Sequence, residues 1–152
     1  MKLVKRSAGT WQYGLNPNEF GLLSHLLKKF PFTESVSAKI SKTGKDSKSV
    51  EREKLLNESM AEHRKELKRQ AVNLITDNKL KKHNKRHWLT LTAEDREVML
   101  QILNDIRVGC WHSLGKPESS ELQKLDGSAQ ELRHHSLMNL AGHFEQRLIG
   151  TK

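Results

Sequence analysis

The chain has 152 residues, 35% of them hydrophobic and 30% charged, with a formal net charge of +9. That length suits one domain, and the absence of any apolar run of about 18 residues excludes a membrane-spanning helix. A single cysteine, Cys110, excludes an internal disulfide and suits a reducing cytoplasm.

In chain order, the opening MKLVKRSAGTWQYG carries basic residues but no apolar stretch of signal-peptide length. A short extended piece is expected around Trp11 to Leu15. The first helix has a clear start: Asn16 caps it, Pro17 takes the first helical position, and Glu19 completes the box three residues on. Phe20, Leu23, Leu27 and Phe30 recur at helical spacing, widened by Leu22 and Leu26, and Pro31 stops the pattern. Residues Thr33 to Ser49, rich in Ser, Lys and Thr, predict a flexible loop.

A long charged second helix is expected from about Val50 to Thr76. Its stripe is Leu56, Met60, Leu67, Ala71 and Leu74, with His63 in the gap and Leu55 and Ile75 flanking. DNKLKKHNKRHW follows, read as a basic loop or frayed helix end, with Trp88, Leu89 and Leu91 as an extended lead-in. Thr92 and Asp95 cap the third helix. Its broad stripe is Val98, Met99, Ile102, Leu103, Ile106 and Cys110; Leu114, Gly115 and Pro117 end it. Glu118 to Gly127 is a connector with a short turn at Glu121 to Leu125. Ser128 and Glu131 open a last helix burying Leu137, Leu140, Ala141, Phe144 and Leu148, with Gly142 a weak point in its middle.

Four helices, sparse β-formers and no internal repeat predict one all-α domain over residues 1–152. The expected form is an irregular four-helix bundle with a long charged second helix and a flexible loop at 33–49.

Catalytic patterns are missing from the sequence: it has no GxSxG, P-loop or GxGxxG. The eight histidines invite a metal reading. His83 and His87 are spaced i, i+4, His134 and His135 are adjacent, and Cys110 and His112 add soft ligands. No CxxC or HExxH supplies a metal-ligand spacing, so no metal is expected. Cys110 falls on the apolar stripe, where a thiol usually acts as a small hydrophobe; Arg107 three residues before it leaves redox sensing as the lesser alternative. The strongest binding signal is the cluster Lys79, Lys81, Lys82, Lys85 and Arg86 with Trp88 beside it, a set able to contact phosphates and stack on a base. A second candidate is the polar set Asn104, Asp105 and Arg107 inside the third helix, where the spacing puts Asn104, Arg107 and Trp111 on one flank and Asp105 and His112 on another. Arg107 is expected to reach a carboxylate or helix-end carbonyls, within the domain or across an interface.

The stretch LTLTAEDREVMLQILNDIRVGCWHSLGKPE, with LNESMAEHRKELKRQ before it, LMNLAGHFEQRLI after it and the opening NPNEFGLLSHLL, resembles the bacterial domain of unknown function 2017 family. Arg64 stands where that family's long helix carries an arginine. Cys110 to Leu114 depart from its usual Leu-Gly-x-Arg-Leu. The resemblance implies an all-α cytoplasmic domain without a cofactor, and a role in regulation at the protein level. The missing catalytic patterns and the excess of surface charge make the leading expectation a non-enzymatic regulator that binds another protein, alone or as a homodimer, away from membranes. Nucleic-acid binding by the 79–86 segment is the alternative.

Overall fold

The computed structural model describes residues 1–32, 47–115, 117–118 and 127–150. The elements run β1 (Lys2–Ser7), β2 (Thr10–Leu15), α1 (Pro17–Lys29), α2 (Ser47–Thr76), β3 (Leu80–His83), β4 (Arg86–Thr92), α3 (Ala93–Ser113) and α4 (Ala129–Ile149). The four expected helices are present, but the fold is not an all-α bundle. A four-stranded antiparallel sheet, in the order β1-β2-β4-β3, accompanies them.

Each end of the sheet is a two-residue hairpin. Ala8 and Gly9 join β1 to β2 with φ of 43° and 77°, and Asn84 and Lys85 join β3 to β4 with φ of 49° and 63°. Two successive positive-φ residues meet the requirement of a type I′ turn, whose twist matches that of the strands. The residues read as a basic loop are therefore largely this second hairpin. Before it, Asn78 takes a left-handed conformation (φ 56°) that ends α2.

The helix starts follow local chemistry. Asn16 Oδ1 accepts from the Glu19 N–H at 2.8 Å while Glu19 Oε2 accepts from the Asn16 N–H at 3.0 Å. Thr92 and Asp95 form the same reciprocal pair at 3.1 and 2.9 Å. Ser128 Oγ accepts from the Glu131 N–H at 3.3 Å.

One sheet face packs on the helices. Trp11, Tyr13, Leu15, Leu80, Leu89 and Leu91 are buried there, alternating with exposed or half-exposed neighbours as strand geometry demands. They meet Leu23, Leu26 and Leu27 of α1, Leu67, Ala71 and Leu74 of α2, and the expected stripes of α3 and α4 in one core. The architecture is thus two layers, helices over one face of a sheet.

The second helix departs from its expected stripe. It starts at Ser47, taking in the last residues assigned to the 33–49 loop; residues 33–46 lie outside the described residues, as does the turn expected at Glu121 to Leu125. Thirty residues span ~45 Å at 1.5 Å each. Its buried residues, Leu67, Ala71 and Leu74, all fall in the C-terminal half, while Leu55, Leu56, Met60 and His63 are exposed.

Candidate nucleic-acid interface

Cross-strand partners in an antiparallel sheet share a face. The pairs Lys2↔Gly14, Gly14↔Trp88 and Lys81↔Trp88 therefore lay one row across all four strands. The next row carries Lys5, Gln12 and Thr90. His83 and Arg86 face each other at the hairpin end. These residues lie on the side opposite Tyr13, Leu89 and Leu91, and none of them is buried. A register shift between Leu3 and Lys5 bulges β1, placing Val4, 56% exposed, on the same outer face.

Charge is segregated onto this sheet. Residues 1–15 and 78–92 hold eight Lys and Arg (Lys2, Lys5, Arg6, Lys79, Lys81, Lys82, Lys85 and Arg86) and no Asp or Glu. The other 122 residues hold nineteen Lys and Arg against eighteen Asp and Glu. Almost the whole +9 therefore sits on the strands and their turns.

The five basic residues singled out in the sequence take different places. Lys81, Lys82, Lys85 and Arg86 are exposed. Lys81 and Arg86 belong to the outer face, Lys85 to the turn, and Lys82 to the opposite side of the edge strand, paired with His87. Lys79 is committed within the domain: its Nζ lies 3.1 Å from Asp95 Oδ2. Burial pushes the Asp95 carboxyl up, but hydrogen bonds from Thr92 and the contact with Lys79 outweigh it and hold Asp95 below its ordinary value. Lys2, Lys5 and Arg6 were not legible as site residues, because register, not sequence proximity, brings them alongside. Arg6 lies on the inner side, its guanidinium 5.2 Å from the Trp11 ring centroid. Arg96 sits 4.4 Å from the same ring and donates through Nη2 to the Leu148 carbonyl at 2.6 Å, tying α3 to the end of α4.

The second candidate set divides between two flanks of α3. Arg107 donates to and pairs with Glu145 of α4, a residue only 7% exposed. With Asn104, Val108, Trp111 and Met138 it lines a surface groove of about 290 Å³. Trp111 Nε1 donates to the Pro117 carbonyl at 3.1 Å. Asp105 turns instead to Arg64 of α2, at 3.3 Å; burial nonetheless raises its carboxyl above the ordinary value, against the pull of Arg64 and His63. Asn104, Asp105 and Arg107 thus do not converge on one site.

Burial pushes the Cys110 thiol up to about 11, which opposes thiolate chemistry. Among the described residues no group of three His, Cys, Asp or Glu side chains is placed to hold a metal ion, and no helix is long and apolar enough to cross a membrane. Comparison of the chain with protein-family models, curated proteins and solved structures finds no match.

Proposed function

We propose that the protein binds nucleic acid through the outer face and edges of its four-stranded sheet. The observation that supports this reading is the segregation of charge: seven basic side chains besides Lys79 gather on strands and turns that contain no carboxylate. Scattered lysines on solvated helix faces would give the same net charge without such a field. Concentrated cations recruit a phosphate backbone by releasing its counterions, which makes binding steeply salt-dependent.

The test is binding of a labelled polynucleotide across a salt series. If about five of the basic side chains contact phosphates, the slope of log affinity against log salt is about −3.5 for a single strand, a loss of roughly 100-fold between 50 and 200 mM salt. Reversing Lys81, Lys85 and Arg86 to Glu should abolish binding, while reversing Lys54, Lys65 and Lys68 on α2 should leave most of it. Equal losses from both triple variants would show that the net charge acts without a site and would overturn the proposal.

Docking of another protein is the second reading, and the α3–α4 groove supports it: Val108 and Trp111 are exposed beside Arg107. Loss of a recovered partner on changing Trp111 to Ser, with the sheet intact, would favour it.

A further inference from the structure

We infer that the sheet face selects single-stranded over duplex nucleic acid, with Trp88 as the platform on which a base stacks. The inference rests on the nucleic-acid reading above and adds the form of the ligand and the residue that recognises it.

The geometry around Trp88 carries it. Its cross-strand neighbour on β2 is Gly14. A Cβ built on Gly14 would lie 3.8 Å from Trp88 Cζ3 and 3.2 Å from Val4 Cγ2. The benzene end of the indole therefore leans across bare backbone of β2, with Val4 closing in from β1. The result is a low apolar strip, Val4–Gly14–Trp88, running over three strands. It is half-open to solvent at Trp88 and exposed at Val4. Among the described residues Trp88 stacks on no other ring and sits under no cation, unlike Trp11 and Trp111. Lys2 and Lys5 lie on one edge strand and Lys81 on the other, so the strip is bounded by cations on both sides. Gln12 and Thr90 add polar groups able to bond base edges.

Size and chemistry then choose the ligand. Four strands at ~4.8 Å spacing present a face ~15–19 Å wide. A B-form major groove is about 12 Å wide and admits a helix or a two-stranded ribbon, so this face cannot enter one. Bases of a duplex are already stacked on each other and have no free face to offer. A duplex can therefore supply only phosphate contacts here, whereas a single strand supplies phosphates to the flanking lysines and a base to the indole. An acidic peptide would match the charge but brings a ring to the strip only where its own sequence places an aromatic residue, whereas every nucleotide of a single strand carries a base beside its phosphate.

The experiment measures affinity of the full chain for a labelled oligothymidylate, an oligouridylate of equal length and a duplex of equal length, at fixed salt. Trp88→Ala is expected to weaken both single strands by about 10–100-fold and the duplex by less than about 2-fold. Trp88→Phe should restore most of the single-strand affinity. Trp88→Thr, which keeps a strand-forming side chain, repeats the test should the alanine variant not fold. Undiminished single-strand binding in these variants, or equal loss for strand and duplex, overturns the inference. It leaves the wider reading standing if reversal of Lys81, Lys85 and Arg86 still abolishes binding. If neither set of variants changes any affinity, the sheet is not the contact surface and both readings fall.

Discussion

Removing the Arg107 guanidinium tests how α3 and α4 are held together. Glu145 is 7% exposed and pairs with Arg107, which is 47% exposed along its side chain. Truncating one partner of a fully buried pair costs about 3–5 kcal/mol, because the other charge is left uncompensated. Here water reaches the arginine, so part of that penalty is screened, and Arg107→Ala is expected to cost about 2 kcal/mol. For a domain of this length that lowers Tm by roughly 4–8 °C. Glu145→Gln keeps an acceptor for Arg107 and should cost about 1 kcal/mol. The decisive quantity is the cycle. In the Arg107→Ala background the carboxylate is a liability, so Glu145→Gln should become neutral or stabilising, with a coupling of about 1–2 kcal/mol. Urea unfolding followed by circular dichroism measures all four proteins. An Arg107→Ala cost below about 0.5 kcal/mol, or strictly additive changes, would refute the reasoning.

Two more predictions concern the same fold. Gly142→Ala should stabilise by about 0.5–1 kcal/mol, because helix propensity favours alanine and the new Cβ would lie 3.6 Å from Arg107 Nε, an ordinary contact; a lowered Tm would mean that α3 and α4 do not tolerate a methyl group there. Acid should destabilise the fold through Asp95 and Glu19. Both carboxyls lie below their ordinary values of 3.8 and 4.5: burial raises each, but hydrogen bonds outweigh it, at Asp95 from Thr92 and Lys79 and at Glu19 from the Met1 amine and Asn16. Their contribution is therefore complete above those ordinary values and is lost as pH falls through the lowered ones. Asp95→Asn should make the stability curve shallower below about pH 4, and an unchanged curve would contradict the sign.

The parts of the fold legible in the sequence are those encoded within a few residues. Asn16, Thr92 and Ser128 announce helix starts because a cap is made by a side chain and an amide three positions away. The two central strands of the sheet read as extended pieces at Trp11 to Leu15 and Trp88 to Leu91, but the edge strands and the pairing into a sheet escaped for the converse reason. A type I′ turn is signalled most strongly by Asn-Gly. Ala8-Gly9 keeps only the glycine and Asn84-Lys85 only the asparagine, so each hairpin shows half of its signature. The β3 stretch Leu80-Lys81-Lys82-His83 buries only its leucine, since lysines on an edge strand deter pairing with other chains. That reads as a polar loop. The outer half of the α2 stripe misled for another reason: Leu56 and Met60 have helical spacing, but the helix outruns the layer that would cover them. At the candidate site, the Lys79 to Arg86 cluster was visible as a local run. Lys2, Lys5 and Gly14 were not, because they join it only through β2↔β4 pairing. A signal was nevertheless present, namely two stretches of about fifteen residues lacking any acid.

That central pairing has a consequence for how the surface comes into being. Leu15 and His87 are partners, yet 71 residues separate them along the chain. Closing a loop of that length costs about 4 kcal/mol in chain entropy, and the helical layer must supply it. Neither hairpin alone holds the outer face: one brings Lys2, Val4 and Gly14, the other Lys81, Arg86 and Trp88. The surface is thus a seam between two distant stretches of polypeptide. It exists only in a chain that has completed its tertiary structure, so an incompletely folded chain carries the cations without the site.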